Sequence, residues 1–308
     1  MIEIFAQSEG MREAIRLAER VAATDANVLV TGESGAGKDA MALHIHAHSS
    51  RASQPFVKID CATLPSDLLE AELFCYERGA FTSASEAKPG RLEAADKGTI
   101  VLDEIAYLTK DSQAKLLRVI ETREFERLGG RYTIKVDARL IALTNVDLTA
   151  AVNRNDFRED LFYRLNVVHI QLPPLRERAQ DLPKLAQAFL KGYAAKHGRE
   201  VSAIAPEALA LLKEYEFPGN VRELTNTIER AVIVAAGNRV EVTDLPESIR
   251  DAVLVQRKRH KPQSLAELEA EYVADTLAAT HGNKTEAARI LGISRKNLYE
   301  RLARLKKG

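Results

Sequence analysis

A glycine-rich run near the N-terminus has residue types and spacing suited to binding phosphate groups. It reads Gly32-Glu33-Ser34-Gly35-Ala36-Gly37-Lys38-Asp39 and lies between an apolar segment at 28–30 and an apolar-periodic segment that ends near residue 48. The glycines let backbone N–H groups turn inward on phosphate oxygens, and Lys38 neutralises the β- and γ-phosphates. A strand, a loop and a helix in this order predict a P-loop that binds ATP. Asp39 stands where most P-loops have a Ser or Thr whose hydroxyl binds Mg²⁺.

A second group, Thr99-Ile100-Val101-Leu102-Asp103-Glu104, ends in two carboxylates about 65 residues after the P-loop. Alone, an apolar run followed by Asp-Glu is most often just the end of a strand. After a P-loop it indicates a Walker B motif, in which Asp103 binds Mg²⁺ and Glu104 polarises the attacking water. Together the two motifs predict an enzyme that hydrolyses ATP with Mg²⁺ as its metal cofactor.

The elements that must position these motifs alternate between strand and helix. Strand candidates lie at 28–30, 56–59, 99–102, 138–143 and 167–172. Helical patterns such as 11–21 and 111–121 separate them, which predicts a doubly wound, three-layer αβα domain. After Pro173-Pro174 the strand patterns stop, and helical patterns follow at 181–196, 206–215 and 220–236.

We therefore expect four segments along the chain. They are an α/β nucleotide-binding subdomain at 1–172, a helical subdomain at 173–250, a linker at 251–263 and an all-α domain at 264–308. The linker prediction rests on Arg257-Lys258-Arg259-His260-Lys261-Pro262, a polar run that ends in proline.

The formal net charge of zero hides an uneven distribution of charge. Residues 251–308 contain 12 Lys or Arg against 7 Asp or Glu, and from His281 onward the counts are 8 against 2. A basic end on an acidic body predicts that the C-terminal domain binds nucleic acid. Charge alone fits a solvated helix face equally well, so the prediction depends on the residue pattern of this end.

That basic end has the pattern of a helix-turn-helix. The small pair Ala287-Ala288 allows close helix packing, and Leu291-Gly292-Ile293 makes the turn. The pattern resembles the Fis-type helix-turn-helix, whose second helix enters the major groove, and it fits this motif better than an ordinary helical hairpin. Candidate DNA-binding residues are Lys284, Ser294, Arg295, Lys296, Asn297, Tyr299 and Arg301. Two-fold DNA sites need a dimer, and the segment 265–277 is the predicted pairing helix.

Composition gives no indication of export or of a membrane segment. No apolar run approaches the roughly 20 residues of a membrane span, and the first ten residues lack a basic-then-apolar pattern. Cys61 and Cys75 have no metal-binding or disulfide spacing, so we expect a cytoplasmic protein. The alternating His44, His46 and His48 fit structural roles better than a metal site, because positions i and i+2 of a helix point apart.

A six-residue segment between the two ATP-binding motifs links this architecture to a family. Gly79-Ala80-Phe81-Thr82-Ser83-Ala84 resembles the GAFTGA loop of the bacterial enhancer-binding proteins, the NtrC-family AAA+ ATPases that remodel sigma-54 RNA polymerase. The other motifs occur in the family's order, so the resemblance covers nearly the whole chain. It implies a AAA+ fold in which 173–250 is a helical lid, and it implies that Phe81 and Thr82 contact sigma-54.

The resemblance also implies roles for residues outside the two motifs. Arg158 and Arg164 match the family's arginine fingers, which act on the γ-phosphate of a neighbouring subunit. They imply that the chain works in a ring, expected to be a hexamer. Asn145 matches the family's sensor I, and Arg222 matches sensor II of the lid.

Among the departures from the family pattern, two leave the coupling to sigma-54 open. Ser83 stands where the family has glycine; if that glycine needs a positive φ, serine costs on the order of 1 kcal/mol. Asp60 stands where the family has an asparagine that restrains Glu104, and a carboxylate cannot donate that hydrogen bond unless it is protonated. By contrast, an acidic residue at the position of Asp39 is common in the family.

These features predict a transcriptional activator that binds enhancer DNA as a dimer, hydrolyses ATP as a ring and opens the promoter complex of the sigma-54 RNA polymerase holoenzyme. The alternative is an ATP-binding, DNA-binding regulator, a repressor or a sigma-70 partner, whose variant loop does not engage sigma-54. Ser83 and Asp60 are its only support. A DNA-remodelling ATPase such as a replication initiator ranks last, because it would lack the Phe81 loop and the Fis-type end.

Overall fold

The computed structural model describes residues 4–77, 90–130, 132–260 and 265–305. The chain divides into two compact units, Met1–Arg250 and Asp251–Gly308. The predicted sigma-54 contact segment, residues 79–84, lies outside the described residues.

A five-stranded parallel sheet forms the centre of the first unit. The strands are β1 (Val28–Thr31), β2 (Phe56–Asp60), β3 (Thr99–Asp103), β4 (Glu124–Glu126), β5 (Thr133–Lys135), β6 (Arg139–Thr144), β7 (Val168–Gln171), β8 (Ala203–Ile204) and β9 (Arg239–Val240). The main sheet has the order β2-β3-β6-β1-β7, while β4-β5 and β8-β9 form two small pairs. Asp60 and Asp103 are register partners at the carboxyl ends of β2 and β3. The carboxyl edge of this sheet therefore gathers the polar residues predicted to act on ATP.

Helices cover both faces of this sheet and build the rest of the chain. They are α1 (Glu9–Ala22), α2 (Lys38–Ala47), α3 (Ser66–Phe74), α4 (Arg91–Ala94), α5 (Lys110–Thr122), α6 (Leu148–Asn153), α7 (Glu159–Leu165), α8 (Leu182–His197), α9 (Pro206–Glu214), α10 (Asn220–Val234), α11 (Glu247–His260), α12 (Leu265–Ala279), α13 (Lys284–Ile290) and α14 (Arg295–Leu305). In the described residues, none of them is long and apolar enough to cross a membrane.

Successive side chains along a strand of the sheet pack alternately into two separate hydrophobic cores. Ile100 and Leu102 of β3 join the core that includes residues of α3, α5 and α7. Val101, between them, joins the core that includes residues of α1 and α2. Period-two burial on both faces is what a covered parallel sheet requires, and it confirms the predicted three-layer αβα fold.

The polar run that was expected to be an open linker is helical as far as it is described. α11 continues through Arg257 to His260. Arginine and lysine have high helix propensity, so a solvated polar run can extend a helix until a proline interrupts it. Pro262 lies outside the described residues.

The histidines of α2 do not share one environment. His46 is buried, and its Nδ1 lies 2.9 Å from Oγ1 of Thr99 in the neighbouring strand β3. The rings of His44 and His48 are in contact, with their centroids 4.1 Å apart and their planes tilted by 39°. Burial lowers the pKa of His46, so this ring is neutral and ties the helix to the sheet.

Candidate nucleotide-hydrolysis site and nucleic-acid interface

A cleft of about 270 Å³ lies between the P-loop, the end of β3 and the lid helix α10. Its lining includes eight of the residues predicted from the sequence, namely Ser34, Gly35, Gly37, Lys38, Asp39, Asp103, Glu104 and Arg222. Val221, Thr225 and Asn226 complete the lining from α10. The fold therefore brings the P-loop, the acidic pair and the sensor II arginine to one place.

Close backbone contact between the P-loop and the lid explains a glycine in the loop. Gly35 has φ +74°, and a Cβ built on it would lie 2.3 Å from the carbonyl oxygen of Gly219. The backbone N–H of Val221 donates to the carbonyl of Gly35 at 3.0 Å. α2 begins at Lys38 immediately after this turn, so its N-terminal N–H groups lie next to the cleft. A helix N-terminus at this position favours phosphate binding.

Lys38 and Glu104 lie close together at the base of the cleft. Nζ of Lys38 donates to the carbonyl of Gly32 at 2.8 Å and lies 3.6 Å from Oε1 of Glu104. Glu104 has φ +51° and ψ +50°, a left-handed conformation that is uncommon for a residue with a side chain. Its Oε2 accepts a hydrogen bond from the backbone N–H of Asn145 at 3.2 Å. Strain of this kind concentrates at functional sites, and here it aims a carboxylate into the cleft.

Lys58 is a member of the site that sequence reasoning missed. Its ammonium lies 2.7 Å from Oδ2 of Asp103 and also contacts Oδ1 of Asp39. Burial alone would lower the pKa of Lys58, but the hydrogen bonds that its ammonium donates to the two carboxylates hold that pKa above its usual value. The sequence offers one indication of this role, a lysine within a largely apolar strand. That strand pairs with the predicted Walker B strand, and Lys58 is the register partner of Val101.

Two side chains at the start of α10 join the lid to the P-loop. Arg222 donates to Oγ of Ser34 at 2.8 Å. Asn220 is fully buried, and its amide donates to Oε2 of Glu33 at 3.0 Å and to the carbonyl of Ser34 at 3.1 Å. The Asn220 Oδ1 accepts the backbone N–H of Leu175 at 2.7 Å. Asn220 lies two residues before the predicted sensor II residue Arg222, but its bridging contacts had no sequence signal.

Glu33 lies on the outer side of this joint. Arg176 donates to both of its carboxylate oxygens, at 2.8 and 2.6 Å. Hydrogen bonds from Arg176 and then from Asn220 lower the pKa of Glu33 to about 2. Of the described P-loop residues that were predicted to bind nucleotide, Gly32, Glu33 and Ala36 do not line the cleft. The carboxylate therefore fastens the P-loop to the lid in this structure.

Three further predicted site residues are not among the described residues that line the cleft. Arg158 pairs with Asp160 through hydrogen bonds of 3.0 and 2.7 Å. Arg164 pairs with Glu121, with its NH2 3.1 Å from Oε1. Asp60 accepts the backbone N–H of Ala62 at 2.9 Å.

The structure thus brings neither arginine to the cleft of its own chain. In the described part of the chain Asp60 makes no hydrogen bond to Glu104. The roles assigned to these three residues stay predictions.

Arg127 connects the two flanks of residues 78–89, which are not among the described residues. It donates to Glu77 on one flank at 3.0 Å and to both carboxylate oxygens of Glu93 on the other, at 2.9 and 3.0 Å. Tyr76 also forms a β-bridge with Leu128. These contacts tie both ends of the segment to the turn that follows β4.

The second unit is a small helical domain with a polar helix on its surface. Its core contains Val273, Ala287, Ala288 and Leu298, so the predicted small pair is buried between helices. Gly292 has φ +65° in the turn between α13 and α14, a conformation that favours glycine.

α14 begins with a cap and presents most of the predicted DNA-binding residues. Oγ of Ser294 accepts the backbone N–H of Asn297 at 3.2 Å, as an N-cap does. Nζ of Lys284 lies 4.8 Å from the centre of the Tyr299 ring. Exposed side chains are Lys284, Ser294, Arg295, Lys296, Asn297 and Tyr299, and Arg301 is partly exposed.

Three family profiles together match most of the chain. A profile described as "Sigma-54 interaction domain" matches residues 4–171. A "AAA+ ATPase lid domain" matches residues 176–262, and "Bacterial regulatory protein, Fis family" matches residues 264–305.

Individual proteins are similar to the chain over almost its whole length. "Regulatory protein AtoC" of Escherichia coli is 44% identical over 307 residues, which cover 97% of this chain and 67% of that protein. "Transcriptional regulatory protein ZraR" of Escherichia coli is 45% identical, covering 97% of this chain and 68% of that protein. The crystal structure of NtrX from Brucella abortus in complex with ATP is 36% identical with a TM-score of 0.72. It covers 99% of this chain and 69% of that chain.

Proposed function

This chain belongs to the sigma-54 activator family of AAA+ ATPases that carry a Fis-type DNA-binding domain, and on that premise we propose that it uses ATP hydrolysis to open promoter complexes of the sigma-54 RNA polymerase holoenzyme. The observation that carries the proposal is the cleft in which the P-loop, Asp103, Glu104 and Arg222 meet. Such a constellation binds a nucleoside triphosphate and positions a water for attack on its γ-phosphate. The same proposal places the protein in the cytoplasm, on enhancer DNA.

Each residue of the cleft has a task in this reaction. Lys38, at the N-terminus of α2, binds the β- and γ-phosphates, and Arg222 reaches the nucleotide from the lid. Glu104 orients and polarises the attacking water.

Asp103 would hold Mg²⁺. Its carboxylate is a hard oxygen donor at the end of a strand, with Oδ1 accepting the N–H of Glu104 at 3.1 Å. When bound, the metal neutralises charge on the phosphates.

Assembly into a ring is part of the proposal, because each cleft needs an arginine from outside its own chain. Arg164 is exposed and Arg158 is partly exposed, and neither is among the described residues that line the cleft of their own chain. In a ring, expected to be a hexamer, they would stabilise the charge on a neighbour's γ-phosphate. The Fis-type domain would dimerise through α12 on a two-fold DNA site, with α14 in the major groove.

Phe81 and Thr82 are the proposed contacts with sigma-54. Both flanks of their segment are joined by Arg127, which also belongs to the neighbouring turn. The described flanks on both sides are therefore attached to the ATPase domain. Asp60 occupies the position of the family's restraint on Glu104, and an ionised carboxylate cannot donate to another, so we propose that this switch is either altered or mediated by a water or a cation.

The decisive experiment measures ATP-dependent open-complex formation by sigma-54 RNA polymerase with this chain, at high concentration and without an enhancer. The Phe81→Ala variant should form no open complexes while its ATPase rate and DNA binding match the wild type. Glu104→Gln is the matched control, because it should lose ATP hydrolysis and open complexes together. Open complexes formed by Phe81→Ala would refute the sigma-54 contact.

A wild-type chain that hydrolyses ATP but forms no open complexes would favour the alternative, a DNA-binding regulator that does not engage sigma-54. In that case Ser83→Gly tests whether one residue accounts for the loss. Restored open complexes would assign the defect to the serine.

A further inference from the structure

The ammonium of Lys58 occupies the same carboxylate that the proposed metal needs. Nζ lies 2.7 Å from Oδ2 of Asp103, and the side chain of Asp103 is only 15% exposed. The other oxygen, Oδ1, accepts the backbone N–H of Glu104. Each carboxylate oxygen has two lone pairs; Oδ1 already uses one for this N–H, so Oδ2 is the oxygen better placed for a metal, and it is the one that Lys58 contacts.

Two cations on one carboxylate oxygen repel each other strongly. Mg²⁺ binds oxygen at about 2.1 Å, so with Nζ 2.7 Å from the same atom the two charges would be no more than about 5 Å apart. Binding of the metal to Oδ2 therefore disfavours the present position of the ammonium. The lysine and the metal cannot both have their best contact with Asp103.

Asp39 is a second carboxylate partner for the ammonium of Lys58. Its Oδ1 already contacts Nζ of Lys58, and its side chain is about half exposed. An ammonium that leaves Asp103 therefore keeps one carboxylate partner near the protein surface. The other lysine of the cleft, Lys38, has its shortest contact with the carbonyl of Gly32 and so does not compete for Asp103.

We propose that Lys58 competes with the divalent cation for Asp103 and thereby sets the metal concentration at which the cleft binds metal–nucleotide. The inference rests on the proposed metal site at Asp103. Asp39, in the position where P-loops usually carry a hydroxyl, is then the partner that receives the displaced ammonium. A lysine that instead binds phosphate would make the opposite contribution to nucleotide affinity.

Mn²⁺ is the probe for this competition, because the signal of free Mn²⁺ can be followed by electron paramagnetic resonance. The titration uses the full chain with saturating ADP, so that no hydrolysis is involved. Lys58→Met, which keeps an unbranched side chain only one atom shorter and removes the charge, should bind Mn²⁺ about tenfold more tightly than the wild type, equivalent to about 1.4 kcal/mol. Lys58→Arg keeps the charge and should stay near the wild type.

Lys196→Met is the matched control. Lys196 is also an exposed lysine paired with a carboxylate, Glu229, at 2.9 Å, but Glu229 does not line the cleft, whereas Asp39 and Asp103 do. Its Mn²⁺ affinity should equal that of the wild type. Lys58→Gln provides a second neutral variant if the methionine disturbs β2, and far-UV circular dichroism checks both folds.

Equal or weaker Mn²⁺ binding by the folded neutral variants of Lys58 would overturn the inference. Weaker ADP binding by these variants in EDTA would also overturn it, because it would identify Lys58 as a phosphate ligand. Asp103→Asn separates the inference from its premise. If that change leaves Mn²⁺ binding intact, the metal site assigned to Asp103 is wrong as well.

Discussion

Asn220 joins the P-loop, the lid and the segment that leads into the lid through one buried amide. Its side chain donates to Glu33 and to the carbonyl of Ser34, and it accepts from the N–H of Leu175. Its backbone has φ +53°, a left-handed conformation that asparagine adopts more readily than most residues. Replacing it therefore tests both the hydrogen bonds and the backbone conformation.

The expected loss of stability follows from these contacts. Asn220→Ala leaves the buried N–H of Leu175 without its partner, which costs about 1–3 kcal/mol. The left-handed backbone costs alanine about 1 kcal/mol more. We therefore expect the free energy of unfolding to fall by about 3 kcal/mol in total. Asn220→Gly adopts the left-handed conformation without strain, so it should lose only the part that belongs to the hydrogen bonds.

Urea unfolding followed by far-UV circular dichroism measures these differences, since the chain contains no tryptophan. Asn238→Ala is the matched control, because Asn238 is an exposed asparagine of the same lid region. It should change stability by less than about 0.5 kcal/mol. If Asn220→Gly unfolds at the wild-type urea concentration, the amide contributes nothing net to the joint. Equal losses for the alanine and glycine variants would refute the argument from backbone strain.

Two further predictions concern the cysteines and the proposed arginine finger. Burial first, and then neighbouring carboxylates, raise the pKa of Cys61 and of Cys75 to about 12, so thiol reagents at pH 8 should label both only after unfolding. Rapid labelling of the native protein would contradict this burial. Because the folded-state pKa values exceed the usual 9.0, the protonated thiols contribute fully to stability below pH 9, and this contribution is lost as the pH rises toward 12. For the finger, Arg158→Ala should slow ATP hydrolysis by roughly 10³-fold or more, and mixing it with Glu104→Gln should restore activity, because mixed rings pair an intact finger with an intact Glu104. No restoration in mixed rings would argue against action on a neighbour's nucleotide.

The P-loop and the acidic pair could be predicted from the sequence because each motif is local. A strand, a glycine turn and a helix N-terminus determine where Lys38 points, and an apolar strand determines where Asp103 ends. Lys58 and Asn220 could not be found in this way. Their partners lie on other elements, and only the strand order and the docking of the lid bring them together.

Local patterns also predict that a residue is near a site better than they predict its contacts. Glu33 lies in the P-loop as expected, yet its carboxylate turns outward to Arg176. The same limit explains why a linker was expected where α11 is helical. Polar composition identifies a solvated segment, but it does not specify the backbone conformation of that segment.

Four basic side chains lie around the cleft, and the groups that accept their hydrogen bonds indicate which of them can move to bind a nucleotide. Lys38 and Arg222 donate hydrogen bonds to neutral oxygens. The acceptor of Lys38 is the carbonyl of Gly32, and the acceptor of Arg222 is the hydroxyl of Ser34. Lys58 and Arg176 are held by carboxylates. A cation held by a carboxylate already has an anionic partner, whereas a cation held by a neutral oxygen gains a charge–charge attraction when a phosphate replaces that oxygen. Lys38 and Arg222 are therefore the cations most readily recruited by a triphosphate, whereas Arg176 is better suited to keep the lid on the P-loop while the nucleotide changes.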